Sequence, residues 1–220
     1  MRVLLVGYGK MGRLVEELAV ARKHEVVGRI DVADEPWAPA DVAIDFSTAD
    51  ALAKNFPRFL ELRLPVVIGT TGWSEHLAEY RRQAAEANIG VVAAANFSIG
   101  VNVFEMLAAE AARMMESHQQ YGAWIHEAHH AAKRDAPSGT ALLLRDAMTG
   151  AGFSRGIDMS STRAGMIPGT HTIGFDSASD TIELIHTARD RRGFATGALA
   201  AAEWLRGRSG WFSMKDVLRG

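Results

Sequence analysis

Cysteine is absent from all 220 residues, which excludes disulfides, cysteine-ligated metals and cysteine nucleophiles. No apolar run approaches the ~18 residues of a membrane span, and no cleavable apolar segment precedes the first strand-like run. The expected compartment is therefore the cytoplasm, with no membrane partner. Charge of one sign is not in excess either. The 24 Lys and Arg nearly cancel the 26 Asp and Glu, and no basic run stands out, so a nucleic-acid partner is not expected. No internal repeat or low-complexity tract is found. What the chain does have is 48% hydrophobic residues, ample for the core of one large or two small domains.

The N-terminal run Arg2-Val-Leu-Leu-Val6 is almost wholly apolar, the pattern of a parallel strand buried on both faces. It enters Gly7-Tyr-Gly-Lys-Met-Gly12, a complete G-x-G-x-x-G, and then a segment with helical spacing from Arg13 to Val20. Strand, glycine turn and helix in this order are what dinucleotide binding requires: a tight turn, a close approach of pyrophosphate to backbone, and close helix–strand packing. Glu25–Ile30 reads as the second strand and ends at Asp31, where a carboxylate can accept hydrogen bonds from an adenosine ribose. Such a carboxylate repels a 2′-phosphate, so NADH is the preferred cofactor and NADPH a possible one. Val32 follows the acid, and Lys10, Arg13 and Arg29 are the nearby cations.

Further strands are expected at Asp41–Phe46, Leu64–Ile68 and Ile89–Ala94. A loop is expected over Ala33–Ala40, and helices over about Ala49–Leu62 and Glu75–Ala87, with Ser47, Thr48 and Ser74 as possible caps. Phe46, the turn Gly69-Thr70-Thr71-Gly72 and the segment Ala95-Asn96-Phe97-Ser98 all follow strand C-termini, where ligands bind in open parallel sheets. A long helix from Ile99 to Ser117 carries an apolar stripe whose methionines fill core. An Ala-rich helix over Phe194–Leu205 is expected to return to the nucleotide domain.

The densest stretch is Glu127-Ala-His-His-Ala-Ala-Lys-Arg-Asp-Ala-Pro-Ser-Gly-Thr-Ala141. A strand from Tyr121 to Glu127 precedes it and a helix from Thr140 to Met148 follows. Ser138 is placed to cap that helix, and Gly139 lets backbone approach a ligand. Free N–H groups at the helix start suit a carboxylate, with Lys133 upstream as a cation or proton donor. Among the eight histidines, His126, His129 and His130 lie in what reads as an extended loop, where neighbours point apart. Neither a metal nor an acyl-transfer nucleophile is expected.

This run resembles the signature of the dihydrodipicolinate reductase (4-hydroxy-tetrahydrodipicolinate reductase) family, and the Asp-Phe-Ser, GTTG and AANFS segments are similar to that family as well. So are Thr162–His171, Glu183–Ala188 and Arg191, Arg192 and Phe194. The resemblance implies NAD(P)H-dependent reduction of a cyclic imine dicarboxylate in diaminopimelate and lysine biosynthesis. Carried over by position, His129 and Lys133 are the proton donors, and His130, Ser138, Gly139 and Thr140 bind substrate. Gly7, Gly9, Lys10, Met11, Gly12, Asp31, Phe46, Gly69, Thr70, Thr71, Ala95, Asn96 and Phe97 line the cofactor. The alternatives are a dehydrogenase of the same architecture acting on another amino or imino acid, and a non-catalytic nucleotide-sensing protein.

The expected fold is α/β: a Rossmann-like parallel-sheet dinucleotide-binding domain over 1–98, completed by 194–220, and a smaller α+β domain over 99–193. The strands at Tyr121, Asp158–Arg163, His171–Phe175 and Thr181–His186 are expected to form an open mixed sheet covered by helices on one face. The other face suits subunit pairing, and the resemblance implies a homotetramer. Domain closure over the ligand is expected to exclude water.

Overall fold

The computed structural model describes residues 1–31 and 36–220. Val32 and part of the loop expected over Ala33–Ala40 lie outside the described residues. The chain forms two compact units, Met1–Ile99 with Arg191–Gly220, and Gly100–Asp190.

The first unit is built on strands β1 (Arg2–Val6), β2 (Glu25–Ile30), β3 (Val42–Asp45), β4 (Val66–Ile68) and β5 (Gly90–Ala93). Helices α1 (Lys10–Ala21), α2 (Ala49–Glu61) and α3 (Leu77–Glu86) connect them. Residues of β3 and β4 are buried without exception, which is why, Asp45 apart, they read as continuous Val, Ile and Ala runs instead of alternating. Two hydrophobic layers flank the sheet. Val15 and Ala19 of α1 pack on one side with Ala198, Leu199, Ala202 and Leu205. Leu52, Phe56 and Phe59 of α2 pack on the other with Tyr80 and Ala84.

The chain also contributes a strand that the sequence reading does not contain. After α6 (Arg192–Leu205), Gly210–Phe212 forms β10, parallel to β5, and α7 (Met214–Arg219) ends the chain. The sheet order is β10-β5-β4-β3-β1-β2, all parallel. Strand order reverses between β1 and β3, so the first glycine turn and the Phe46-Ser47 turn meet at the point where such sheets bind ligands. Two caps also differ from expectation. Ser74 opens a short 3-10 turn (Ser74–His76) and makes no cap, whereas Thr48 caps α2 by accepting from Ala51 N at 3.2 Å. Ser47 is instead engaged with Asp45 and Thr70.

The second unit holds α4 (Ile99–Met115), β6 (Gly122–His129), α5 (Gly139–Gly150), β7 (Ile157–Arg163), β8 (Gly169–Asp176) and β9 (Thr181–Ala188). Its sheet order is β7-β6-β8-β9, with β6 and β7 parallel and the other pairs antiparallel. One face is covered: Phe104, Ala108 and Ala112 of α4 and Ala141, Leu144 and Met148 of α5 pack on Ala123, Ile125, Ile173 and Phe175. Because side chains alternate along a strand, Glu127 and His129 continue the same covered face beyond Ile125. On the opposite face Ile185 is 61% exposed. Among the described residues no helix is long and apolar enough to cross a membrane.

Candidate active site

The glycine turn fits a dinucleotide phosphate on structural grounds. Gly7 has φ +84°, and a Cβ there would strike the backbone of Phe46 and Ser47 where β1 and β3 diverge. A Cβ on Gly12 would strike the Gly7 carbonyl, so the third glycine seats α1 directly on the turn. At Gly9 a Cβ would meet nothing, leaving open space before the helix start where an anion belongs. A cavity of about 260 Å³ opens here, lined by Gly7, Tyr8, Gly9, Asp31, Ser47 and Thr48. Asp31 is exposed on its rim, with Oδ1 accepting from Tyr8 N at 3.3 Å. Lys10 and Met11 open α1 above it.

Two of the nearby cations are occupied. Arg29 grips Glu16 through Nε and Nη2 and lies over the Tyr8 ring, at 5.8 Å from its centroid. Arg13 approaches the same ring at 5.7 Å. Glu16 also accepts from the Tyr8 hydroxyl, and its carboxyl is held below the usual range chiefly by the Arg29 bond.

The turns that carry Phe46 and Thr70 are tied together by a buried acid. Asp45 Oδ1 accepts from Thr70 Oγ1 at 2.5 Å and from Ser47 Oγ at 2.8 Å, while Thr70 Oγ1 accepts from Ser47 N at 2.8 Å. Burial pushes the Asp45 carboxyl up, against the lowering effect of these bonds. The turns after β3 and β4 are thus one hydrogen-bonded piece. Phe46 covers Gly69, where a Cβ would strike its ring, and meets Phe97 edge-on at 6.1 Å. A second cavity of about 230 Å³ has Met11, Phe46, Gly69, Ala95, Arg191 and Phe194 around it. Thr71 and Ala95 also border a more apolar one of about 280 Å³ beside Trp73 and Trp211. Phe97 is buried and supports this floor instead of facing it, and Asn96 Oδ1 accepts from Ser98 N at 2.8 Å, rigidifying the turn.

In the second unit, β6 runs two residues further than expected, so His129 stands on the strand and not in a loop. Cross-strand register then assembles a polar group at the end of the covered face. Glu127 lies opposite Ser161 on β7 and His171 on β8, and His129 lies opposite Arg163. Glu127 is 1% exposed. Its Oε1 accepts from Arg163 Nη2 at 2.6 Å, Ser161 Oγ at 2.6 Å and Ser138 N at 3.1 Å. Burial opposes the charge, but these bonds outweigh it and hold the carboxyl at about 2. Its Oε2 faces His129 Nδ1 at 2.6 Å.

Ser138 caps α5 as expected, with Oγ accepting from Ala141 N at 3.2 Å, and Oγ also lies 3.0 Å from His171 Nε2. Gly139 and Thr140 form the first turn, so their N–H groups and that of Ala141 stand at the positive end of the helix. His171 crosses the His129 ring edge-on at 5.1 Å. Burial pushes His171 down to about 4, with His129 adding repulsion, so His171 is neutral. Burial also lowers His129; Glu127 pulls the other way, and Lys133 and Arg163 push down again. Lys133 Nζ bonds both Asp135 oxygens at 2.8 and 2.9 Å, and Arg163 Nη2 donates to the Asp135 carbonyl at 2.6 Å, drawing the loop to β7. His130 is exposed just beyond the strand.

Two sequence strings qualify the expectations of no metal and no acyl enzyme. His126-Glu-Ala-His-His130 does fit H-E-x-x-H, a zinc spacing that works on a helix, where i and i+4 share a face. Most of it lies on β6, where residues four apart are separated by about 13 Å, and His126 Nδ1 is taken by Ser160 Oγ at 2.9 Å. The exclusion rests on the strand, not on a missing motif. Glu127, His129 and His171 do offer ligand atoms within 4.8 Å of one another. However, Arg163 and Ser161 already satisfy one carboxylate oxygen, and the Arg163 and Lys133 cations disfavour a third positive charge. Gly152-Phe-Ser-Arg-Gly156 likewise fits G-x-S-x-G, but it joins a helix to a strand, the reverse of a nucleophile elbow, and Ser154 donates to Glu116.

Sequence reasoning assigns no role to Glu127, Arg163, His171 or Asp45. The first three meet only through strand register. Asp45 had a local signal, an acid inside an otherwise apolar strand pattern.

Residues 100–218 match the family model described as dihydrodipicolinate reductase, C-terminus, and residues 32–97 the one described as dihydrodipicolinate reductase, N-terminus. A 4-hydroxy-tetrahydrodipicolinate reductase of Christiangramia forsetii is 40% identical over 99% of this chain and 98% of its own. One from Zymomonas mobilis is 38% identical over 98% and 95%. The solved structure of a dipicolinate-bound dihydrodipicolinate reductase from Paenisporosarcina sp. TG-14 superposes with a TM-score of 0.85, at 22% identity over 97% of each chain. That likeness is one of fold.

Proposed function

The chain belongs to the dihydrodipicolinate reductase family, and from that premise we propose how its own residues carry the reaction. It is an NAD(P)H-dependent 4-hydroxy-tetrahydrodipicolinate reductase of diaminopimelate and lysine biosynthesis. The single observation that supports our assignment of roles is the Glu127 carboxylate, which ties His129 to the capped start of α5.

Residues 1–98 with 194–220 form the cofactor domain in this reading, and 99–193 the substrate and oligomerisation domain. Gly7, Gly9, Lys10, Met11 and Gly12 cradle the pyrophosphate at the start of α1, and Asp31 takes the adenosine ribose. Phe46, Gly69, Thr70, Thr71, Ala95, Asn96 and Phe97 build the nicotinamide end, the turns at Phe46 and Thr70 being joined through Asp45. The bound cofactor supplies a hydride. NADH is preferred: a 2′-phosphate beside Gly9 would meet the Asp31 carboxylate, and Arg29 is already committed to Glu16.

The substrate is a small cyclic imine dicarboxylate. Ser138, Gly139 and Thr140 hold one carboxylate through the N–H groups of the first turn of α5, and His130 and Lys133 add hydrogen bonds and charge. His129 and Lys133 are the proton donors. Burial and the Lys133 and Arg163 cations hold the His129 imidazole below its ordinary range, and an arriving dianion opposes that shift and favours the imidazolium. A homotetramer formed through the uncovered face of the β7-β6-β8-β9 sheet buries Ile185.

The test is cofactor oxidation coupled to a synthase that generates the unstable substrate in place. Rapid oxidation dependent on the synthase product, faster with NADH than with NADPH, is the expected result. A folded protein that binds NADH and stays silent with both cofactors would overturn the reading.

A further inference from the structure

We propose that Glu127 is a positioning residue for proton delivery, fixing the His129 imidazole through Nδ1 and registering it against the carboxylate cradle at the start of α5. The proposal rests on the reading of His129 as a donor and assigns a role to a residue that touches neither substrate nor cofactor.

Oε2 of Glu127 and Nδ1 of His129 lie 2.6 Å apart, too close for two lone pairs to face each other, and neither buried atom makes a hydrogen bond of good geometry to any group. The ring therefore carries its neutral-form proton on Nδ1, toward the carboxylate, and leaves Nε2, beside Gly169, as the atom that gains and gives a proton. Free imidazole prefers the opposite tautomer, so the carboxylate imposes this one. The other oxygen of the same carboxylate accepts from Ser138 N. Ser138 in turn caps α5. One side chain thus fixes both the donor ring and the helix turn that anchors the substrate carboxylate, so a shift of Glu127 misaligns the two together.

The charges around His129 give the carboxylate a second effect. Facing the ring are Glu127 on β6, Arg163 on β7, His171 on β8 and Lys133 on the loop, with Asp135 paired to Lys133 and His186 beyond His171. Among the described residues Glu127 is the one anion in contact with the ring, whereas Arg163 and Lys133 both disfavour the imidazolium. Removing its charge leaves those two unopposed.

The experiment has two arms. In the wild-type protein, imidazole nitrogen NMR, with His129 assigned by its loss in His129→Asn, reads the tautomer; the Nδ1–H form is expected and the Nε2–H form overturns the proposal. This arm needs no turnover, so it stands even if the enzymatic reading fails for lack of activity. In the second arm, kcat and its pH profile are compared for Glu127→Gln and Glu127→Asp. Glu127→Gln is expected to lower kcat at least about tenfold, with its decline on rising pH moved about one unit toward acid, while NADH affinity is unchanged. Glu127→Asp, which keeps the charge, should recover part of that shift. A folded Glu127→Gln protein with the wild-type pH profile overturns the proposal. Should that variant not fold, the tautomer measurement decides alone.

Discussion

Ser138 Oγ stands 3.0 Å from Nε2 of His171, although the two lie on a helix cap and a strand 33 residues apart. The hydroxyl donates to the neutral ring while accepting from Ala141 N, so it is fully used only if His171 is uncharged. His171 is 4% exposed and pushed down to about 4 by burial. A depressed histidine destabilises the fold on acidification: the unfolded chain takes up a proton below about 6.5 and the folded one only near 4. Stability should therefore fall between pH 6.5 and 4, by about 2 kcal/mol at pH 5 from this residue. Urea unfolding at pH 7 and pH 5 checks it, with His171→Gln expected to flatten the difference. Equal slopes for variant and wild type would show that His171 is already charged in the fold.

Lys133 is the candidate donor whose role separates by kinetics. Its ammonium is held by Asp135, not by a buried partner, so it is free to turn to a ligand. If it delivers the proton, Lys133→Ala should lower kcat about a hundredfold or more with little change in KM. A normal kcat with raised KM would leave it as a binding residue and give the proton to His129. Asp135→Asn should have a milder effect, because it releases Lys133 without removing it.

In the proposed reading, cofactor preference is set on one rim. Asp31 is exposed beside Gly9, and Glu16 withholds Arg29 from that rim. Asp31→Ser should raise the NADPH to NADH ratio in kcat/KM about tenfold by removing the like charge. Adding Glu16→Gln should raise it further by freeing Arg29 to meet a 2′-phosphate. Steady-state rates with each cofactor test both, and an unchanged ratio in Asp31→Ser would move the discriminating contact elsewhere.

How much was legible in the sequence follows the range of the physics. Gly7, Gly9 and Gly12 act within one turn, and Ser138 caps the helix that follows it, so local spacing located them. The β10 strand is three residues long and begins at Gly210, whose φ is +127°; it forms only because β5 offers an edge, and nothing in Trp211-Phe212 alone says so. β6 runs two residues beyond the sequence expectation, because Ala128 and His129 look like loop yet both find partners on β7. Glu127, Arg163 and His171 come together from three strands, a pairing that requires register and not composition.

Gly197 supplies a prediction whose sign opposes helix propensity. It sits inside α6, where replacing Gly by Ala ordinarily gains about 1 kcal/mol. Here a Cβ would collide with the Phe97 carbonyl, so the helix lies directly against the turn that carries Ala95, Asn96 and Phe97. That carbonyl is backbone and cannot rotate away, and Phe97 is buried against Phe46. Gly197→Ala should thus destabilise by about 1–3 kcal/mol, as overpacking does, and weaken NADH binding by displacing the turn. Gly193, in the same helix, is the control: its Cβ would find Ser98 Oγ at an ordinary 3.5 Å. Gly193→Ala should be neutral or stabilising. Urea unfolding and NADH titration of both variants decide it, and equal behaviour of the two would mean that α6 yields at Phe97.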